Sequence, residues 1–254
     1  ILVYQYLIRR ELRREEVTWS RLWLPDRSLL LQYLRFGVPS GLHYFVDNSG
    51  FTAFLLIVGS LGRDALAATN LAFSVNGLIF VPLLGFGTAV QTLVGHHIGA
   101  RKLTAAAKTA WKGAALAGFW TGCAALMLVL SPRIALKPFF LFAESDTVSS
   151  ESVESLTSTI MILLQFVAIY SVFDAFAVVF SAALRGAGDT LFPMGLTMAS
   201  SWLVMVLPSW WLASQGQGSL SRYWTACSLH VGLSGGLMFL RFLSGRWKSI
   251  RIVD

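Results

Sequence analysis

The chain has 254 residues, of which 55% are hydrophobic and only 13% charged, with a mean hydropathy of +0.64. A soluble domain is about one-quarter charged, so this composition excludes a water-solvated globule and makes lipid the solvent for most side chains. A net charge of +7 would raise nucleic acid as a partner of a soluble chain, but its placement here excludes that reading.

Residues 1–33 read as the end of a preceding hydrophobic helix followed by a basic, amphipathic linker, with Trp19 and Trp23 suited to headgroup depth. The opening, without Met, is expected to be a cut into a longer protein. Residues 34–245 hold apolar stretches of spanning length: Leu34–Leu61, Leu66–Val94, Thr109–Leu130, Leu156–Leu184, Leu191–Ala213 and Tyr223–Leu243. The fold class is therefore all-α, a polytopic bundle of six transmembrane helices, with residues 246–254 as a tail. Pro82 lies inside the second stretch and is expected to kink it. Gly95 and Gly99, near its end, are expected to let helix backbones approach closely. The loop over residues 131–155 reads as solvated turn. Asp189 or Thr190 is expected to cap the fifth span, and Trp210, Trp211 and Trp224 to form an aromatic belt. Cys123 and Cys227 read as small buried thiols.

The basic residues alternate with the spans. Sixteen of the 20 Lys and Arg fall before the first stretch or at its start, in or beside the second-to-third and fourth-to-fifth connections, and at or after the end of the last. Arg63, Arg133, Lys137 and Arg222 fall on the other side. Such alternation fits an even number of spans with both ends cytoplasmic, and a bacterial inner membrane is the expected location.

Of the 13 acids, Asp47 and Asp174 alone lie well inside spans. Asp47 is ten residues beyond Gly37 and Asp174 ten before Leu184, so each is roughly 15 Å deep at about 1.5 Å per residue, which is near the bilayer midplane. Ionised carboxylates are costly there and usually face a cavity serving ions or protons. Two at matched depth on different helices can share a cation or a proton. The alternative is a protonated acid hydrogen-bonded to a neighbouring helix. Asn70 and Asn76 can line a cavity or simply hold helices together, and Phe51 and Tyr170 can contact an organic cation or simply pack. His43 is one turn before Asp47, His96 and His97 sit at a helix end, and His230 reads as a packed, hydrogen-bonded histidine. No His, Cys, Asp and Glu set has zinc spacing, so no metal is expected beyond Na⁺ at Asp47 and Asp174. No nucleophile accompanies His43 and Asp47, and no enzyme activity is expected.

Five segments form an ordered set. They are Phe36-Gly37-Val38-Pro39-Ser40-Gly41 with Asp47 before Phe51, and Ala67-Ala68-Thr69-Asn70 running on to Asn76 and Pro82. Leu93-Val94-Gly95-His96-His97-Ile98-Gly99-Ala100 follows. Ile169-Tyr170-Ser171-Val172-Phe173-Asp174-Ala175 and Ala183-Leu184-Arg185-Gly186-Ala187-Gly188-Asp189-Thr190 complete the set. In their order and spacing these segments resemble the second half of multidrug and toxic compound extrusion transporters, a family that commonly has Gln at one of the two His positions. The resemblance implies one lobe of a twelve-helix, two-lobe antiporter that exports organic cations as Na⁺ or H⁺ enters, with no other cofactor. It also implies a partner lobe of six helices, either upstream in the same polypeptide or a second copy. Asp47, where the family often has Glu, and Asp174 match acidic positions implicated in cation coupling. A flippase of the same architecture moving a lipid-linked precursor, or a passive ion channel, are the alternative readings.

Overall fold

The computed structural model of the protein describes residues 27–141 and 150–249. Every regular element among them is helical. In chain order these are α1 (Arg27–Gly59), α2 (Arg63–Gly99), α3 (Leu103–Leu130), α4 (Pro132–Leu141), α5 (Ser150–Gly186), α6 (Leu191–Ser200), α7 (Leu207–Ser214) and α8 (Leu220–Leu243). A π-helical turn, Ser201–Val206, joins α6 to α7, and a 3-10 turn, Arg246–Ser249, follows α8. The chain divides into two compact units. In one of them the described residues, 27–39, are the first part of α1, and the other runs from Ser40 onward.

Five stretches are long and apolar enough to cross a bilayer: Arg63–Gly99, Leu103–Leu130, Leu156–Gly186, Leu191–Ser214 and Leu220–Leu243. The sixth expected span falls within α1, whose Asn48–Gly59 segment is a shorter apolar helix. The all-α, multi-pass reading therefore stands. It stands because hydrocarbon offers the backbone no hydrogen bonds, so each span satisfies its own N–H and C=O groups as helix.

Helix α5 is the centre, packing on α2, α3 and α8. Small side chains make that possible. The face of α3 turned inward is a stripe of Ala106, Ala110, Ala114 and Ala117, all buried. A Cβ added at Gly235 of α8 would stand 2.5 Å from the Phe173 carbonyl oxygen of α5, and one at Gly87 of α2 would stand 2.9 Å from Val178 Cγ1. Such contacts replace the hydrophobic driving force that lipid cannot supply between helices. Gly95 makes the close approach expected of it, since a Cβ added there would stand 3.3 Å from the Gly186 carbonyl oxygen, whereas Gly99 faces open space.

One end of the bundle is tied by polar contacts. Arg185 Nη1 donates to Ser181 Oγ at 2.6 Å, beside Gln91 of α2. Arg241 of α8 donates from Nε and Nη2 to Asp189 Oδ2, both at 2.9 Å, with its guanidinium 4.7 Å from the Phe192 ring centroid. The connections α2–α3 and α5–α6 and the end of α8 thus share one end, which is the basic end of the sequence.

Several local expectations are corrected. Pro132–Leu141 is helix rather than solvated turn, and helix resumes at Ser150; Ala135 and Leu136 bury against the core, which outweighs the loop-like composition around them. Thr190 is the N-cap residue of α6 but its side chain makes no capping bond, and Asp189 is taken by Arg241. Cys123 is exposed, on a face of α3 shared with Phe119, Leu126 and Met127; only Cys227 is buried. Trp210 and Trp211 are exposed as a belt requires, but Trp224 is fully buried. It lies one turn inside α8 on the face shared with Cys227, and its Nε1 donates to Thr69 Oγ1 of α2 at 3.3 Å. Residues 1–26, including Trp19 and Trp23, and the tail from residue 250 lie outside the described residues.

Two stability predictions follow from these contacts. Gly235→Val pushes a side chain into the Phe173 backbone and should cost about 1–3 kcal/mol. Gly118→Ala, which meets nothing within 4 Å, should instead hold or gain up to about 1 kcal/mol of helix propensity. Thermal unfolding in detergent distinguishes the two. Thr69→Val strips the buried Trp224 indole of its acceptor and should cost about 0.6–1 kcal/mol, the scale of such bonds in membranes. Thr69→Ser should restore most of that.

Candidate functional site

The buried apolar side chains form two clusters. One gathers Phe54, Val75, Leu164 and Trp224 toward the α1–α2 turn. The other gathers Leu83, Val94, Phe180 and Phe242 toward the basic end. Between them the helices change character. On α5 the step from Tyr170 to Ala175 carries buried Ser171 and half-buried Asp174. On α8 the step from Val231 to Met238 carries buried Ser234 and Gly235, and the α6–π junction contributes buried Ser200 and Ser201. The Ser200 and Ser234 hydroxyls bond each other at 2.9 Å. A polar layer therefore crosses the middle of the bundle, and Asp174 is in it.

The rings above this layer are continuous. Phe51 of α1 meets Phe73 of α2 edge-on at 5.8 Å, Phe73 meets Trp224 at 5.1 Å, and Trp224 stacks on Tyr170 at 6.5 Å. Phe51 also meets the His230 ring edge-on at 6.1 Å. Two of the residues singled out from sequence, Phe51 and Tyr170, thus belong to one aromatic chain linking α1, α2, α8 and α5. Tyr170 is one turn before Asp174 on α5, a spacing that puts both on one face. Their mutual contacts make this a packed cluster, with Tyr170 only 3% exposed.

Other candidates are placed differently. Asn70 is on the exposed side of α2, next to the inward-facing Ala68, Thr69 and Ala72, and Asn76 is half-buried. Asp47 and His43 lie in α1, but their side chains lie outside the described residues. Three residues after Asp47, Gly50 is buried, and a Cβ there would stand 3.0 Å from Ser201 Cβ. Helix α1 thus reaches the polar layer at the π turn. His96 and His97 occupy the last turn of α2, as expected.

Sequence reasoning missed three parts of this region. His230 is packed as expected, at 3% exposure, yet its Nδ1 has no hydrogen-bond partner among the described residues. Phe73 and Trp224 supply the middle of the aromatic chain. The π turn brings Ser200 and Ser201 inward together, and Pro208, which lacks the N–H for the preceding turn, was the available signal for it. Among the described residues no group of three or more His, Cys, Asp or Glu could hold a metal ion. The layer offers instead a carboxylate and hydroxyl oxygens, ligands suited to a hard monovalent cation or a proton.

The MatE family profile matches residues 39–211. The probable multidrug resistance protein NorM of Brucella suis is 28% identical over 225 residues, covering 88% of this chain and 46% of that protein. Multidrug resistance protein PmpM of Pseudomonas aeruginosa is 28% identical over 235 residues, covering 89% and 46%. The chain thus spans about half the length of the curated relatives it matches. Among solved structures, a MOP superfamily transporter from Pyrococcus furiosus superposes with a TM-score of 0.77 at 19% identity, covering 92% of this chain and 50% of that one. A multidrug resistance MATE family transporter in an outward-facing conformation superposes with the same TM-score of 0.77 at 20% identity, over the same shares. With the profile covering most of its length and a polar layer set between two apolar clusters of helices, this chain belongs to the MatE family.

Proposed function

We propose that the chain is the C-terminal lobe of a cation-coupled efflux transporter, exporting organic cations by alternating access as Na⁺ or H⁺ enters. The observation that carries this reading is Asp174, a half-buried carboxylate in a polar layer between two apolar clusters. A bundle built only to be stable gains nothing from an acid at that depth, whereas a coupling site requires one. The names of the relatives, multidrug resistance proteins, support the drug-export part.

In this reading Asp47 and Asp174 bind the coupling ion, with no other cofactor. Asn70, Asn76 and half-buried Phe51 line the path of the organic cation, Phe51 offering a cation–π contact while Tyr170 packs behind it in the aromatic chain. Ion and substrate favour different conformations, so loading one expels the other. The second lobe of six helices comes from the same polypeptide or from a second copy. The basic end faces the cytoplasm of a bacterial inner membrane, following the excess of Lys and Arg there.

The test is efflux of a fluorescent organic cation from vesicles holding the full-length protein, with a Na⁺ or a H⁺ gradient imposed. One gradient should drive efflux in the wild type, and Asp47→Asn and Asp174→Asn should each lower that rate at least about tenfold. Full efflux in both variants would remove the coupling assignment. A wild type that moves no organic cation under either gradient would redirect the reading to the lipid-precursor flippase or the channel.

A further inference from the structure

Lys108 and Lys112 stand one turn apart on α3, both exposed, with Trp111 between them in sequence and 46% exposed. The Trp111 ring crosses over α5 toward α8. It meets Phe180 edge-on at 5.8 Å, Phe239 at 5.9 Å and Phe242 at 6.4 Å. On its other side Phe242 stacks on Trp247 of the 3-10 turn, 5.1 Å away with the planes 9° apart. Lys248 then caps the row, its Nζ 5.6 Å from the Trp247 ring centroid. Lysines from two elements far apart in sequence therefore flank one aromatic strip at the basic end.

No carboxylate among the described residues pairs with these lysines. The only ion pair among the described residues is Arg241 with Asp189, which engages the one acid described at this end. The sequence holds no Asp or Glu between Asp64 and Glu144, so α3 supplies none. Just beyond the lysines the surface turns apolar: Leu116 and Phe119 of α3 and Leu240 and Leu243 of α8 are all exposed. A cationic rim, a half-exposed indole at the hydrocarbon edge and apolar flanks together match an anionic head carrying acyl chains.

We infer that this strip is a binding site for an anionic phospholipid of the phosphatidylglycerol class, its phosphate held by Lys108, Lys112 and Lys248 and its chains lying along α3 and α8. The site rests only on the spanning helices and is independent of the transport reading. The phosphate restores the charge balance that no described carboxylate provides, and the indole fixes the depth at which it sits. The lipid would thereby bridge α3 and α8 across α5.

Native mass spectrometry of the full-length protein, titrated with phosphatidylglycerol or phosphatidylcholine, tests this. The wild type should bind phosphatidylglycerol more tightly than phosphatidylcholine, and added salt should erode the difference. Lys108→Gln, Lys112→Gln and Lys248→Gln combined should weaken phosphatidylglycerol binding at least about tenfold and leave phosphatidylcholine binding alone. The corresponding triple Arg variant should retain wild-type binding, and Lys137→Gln, outside the strip, should change nothing. Equal wild-type affinity for the two lipids overturns the proposal, as does undiminished phosphatidylglycerol binding in the triple Gln variant. Displacement of the lipid by sn-glycerol 3-phosphate would also overturn it, by assigning the lysines to a soluble phosphate.

Discussion

Helix α5 is approached on three sides, by α2, α3 and α8, and the other contacts are organised around it. In water such a helix would be driven inward by its apolar surface. In lipid that drive is absent, and association depends on how closely backbones can come together. The residues at the contacts are accordingly Gly87, Gly235 and the alanine stripe of α3, where larger side chains would hold the helices apart. The polar ties at the basic end, Arg241 to Asp189 and Arg185 to Ser181, then fix how far the helices can slide past one another.

Close packing around α5 is what makes a polar layer tolerable. Buried hydroxyls in hydrocarbon need partners, and three serines find them at short range: Ser200 with Ser234, Ser171 with the Ala168 carbonyl, Ser209 with that of Met205. A serine bonding back to its own helix costs little and demands nothing of a neighbour. A carboxylate is different, since no turn of its own helix can neutralise it. The layer is the stratum that the two apolar clusters leave between them, and it sets buried hydroxyls at the level of Asp174.

The spans were legible because bilayer thickness imposes a length and a composition that no other constraint mimics, and the expected stretches lie inside observed helix except for Ser60 and Leu61 at the end of the first, which form the turn to α2. Asp174 was legible for a related reason, since an acid well inside an apolar run stands out by cost alone. What escaped was whatever depends on which way a helix faces. Trp224 looked like a belt residue from its distance to the loop, but the start of α8 at Leu220 turns it onto the buried face, where Thr69 receives its N–H. Cys123 and Cys227 are indistinguishable as letters in apolar runs, and only rotation about the helix axis separates exposed from buried. The helix at Pro132–Leu141 was hidden because it is short and amphipathic, flanked by residues typical of turns.

Two helix irregularities fall at one level of the bundle. In α2, Pro82 removes the bond to the carbonyl one turn back and disturbs the next, and Trp120 Nε1 of α3 donates to the Ile79 carbonyl at 3.0 Å. The helix continues through the proline, with a neighbouring indole serving one of the carbonyls just before it. In the fifth span an extra residue is taken up by the π turn, so the inward step lengthens from Ser200 and Ser201 to Met205 and Val206, and Ser209 follows. Pro82 falls between Ile79 of one apolar cluster and Leu83 of the other, and the π turn begins at Ser201 within the polar layer. Two helices thus depart from regular hydrogen bonding at the boundary where the apolar clusters part. Helices α5 and α8 run through the same level without interruption, so the departure is confined to two of the helices that surround the polar layer.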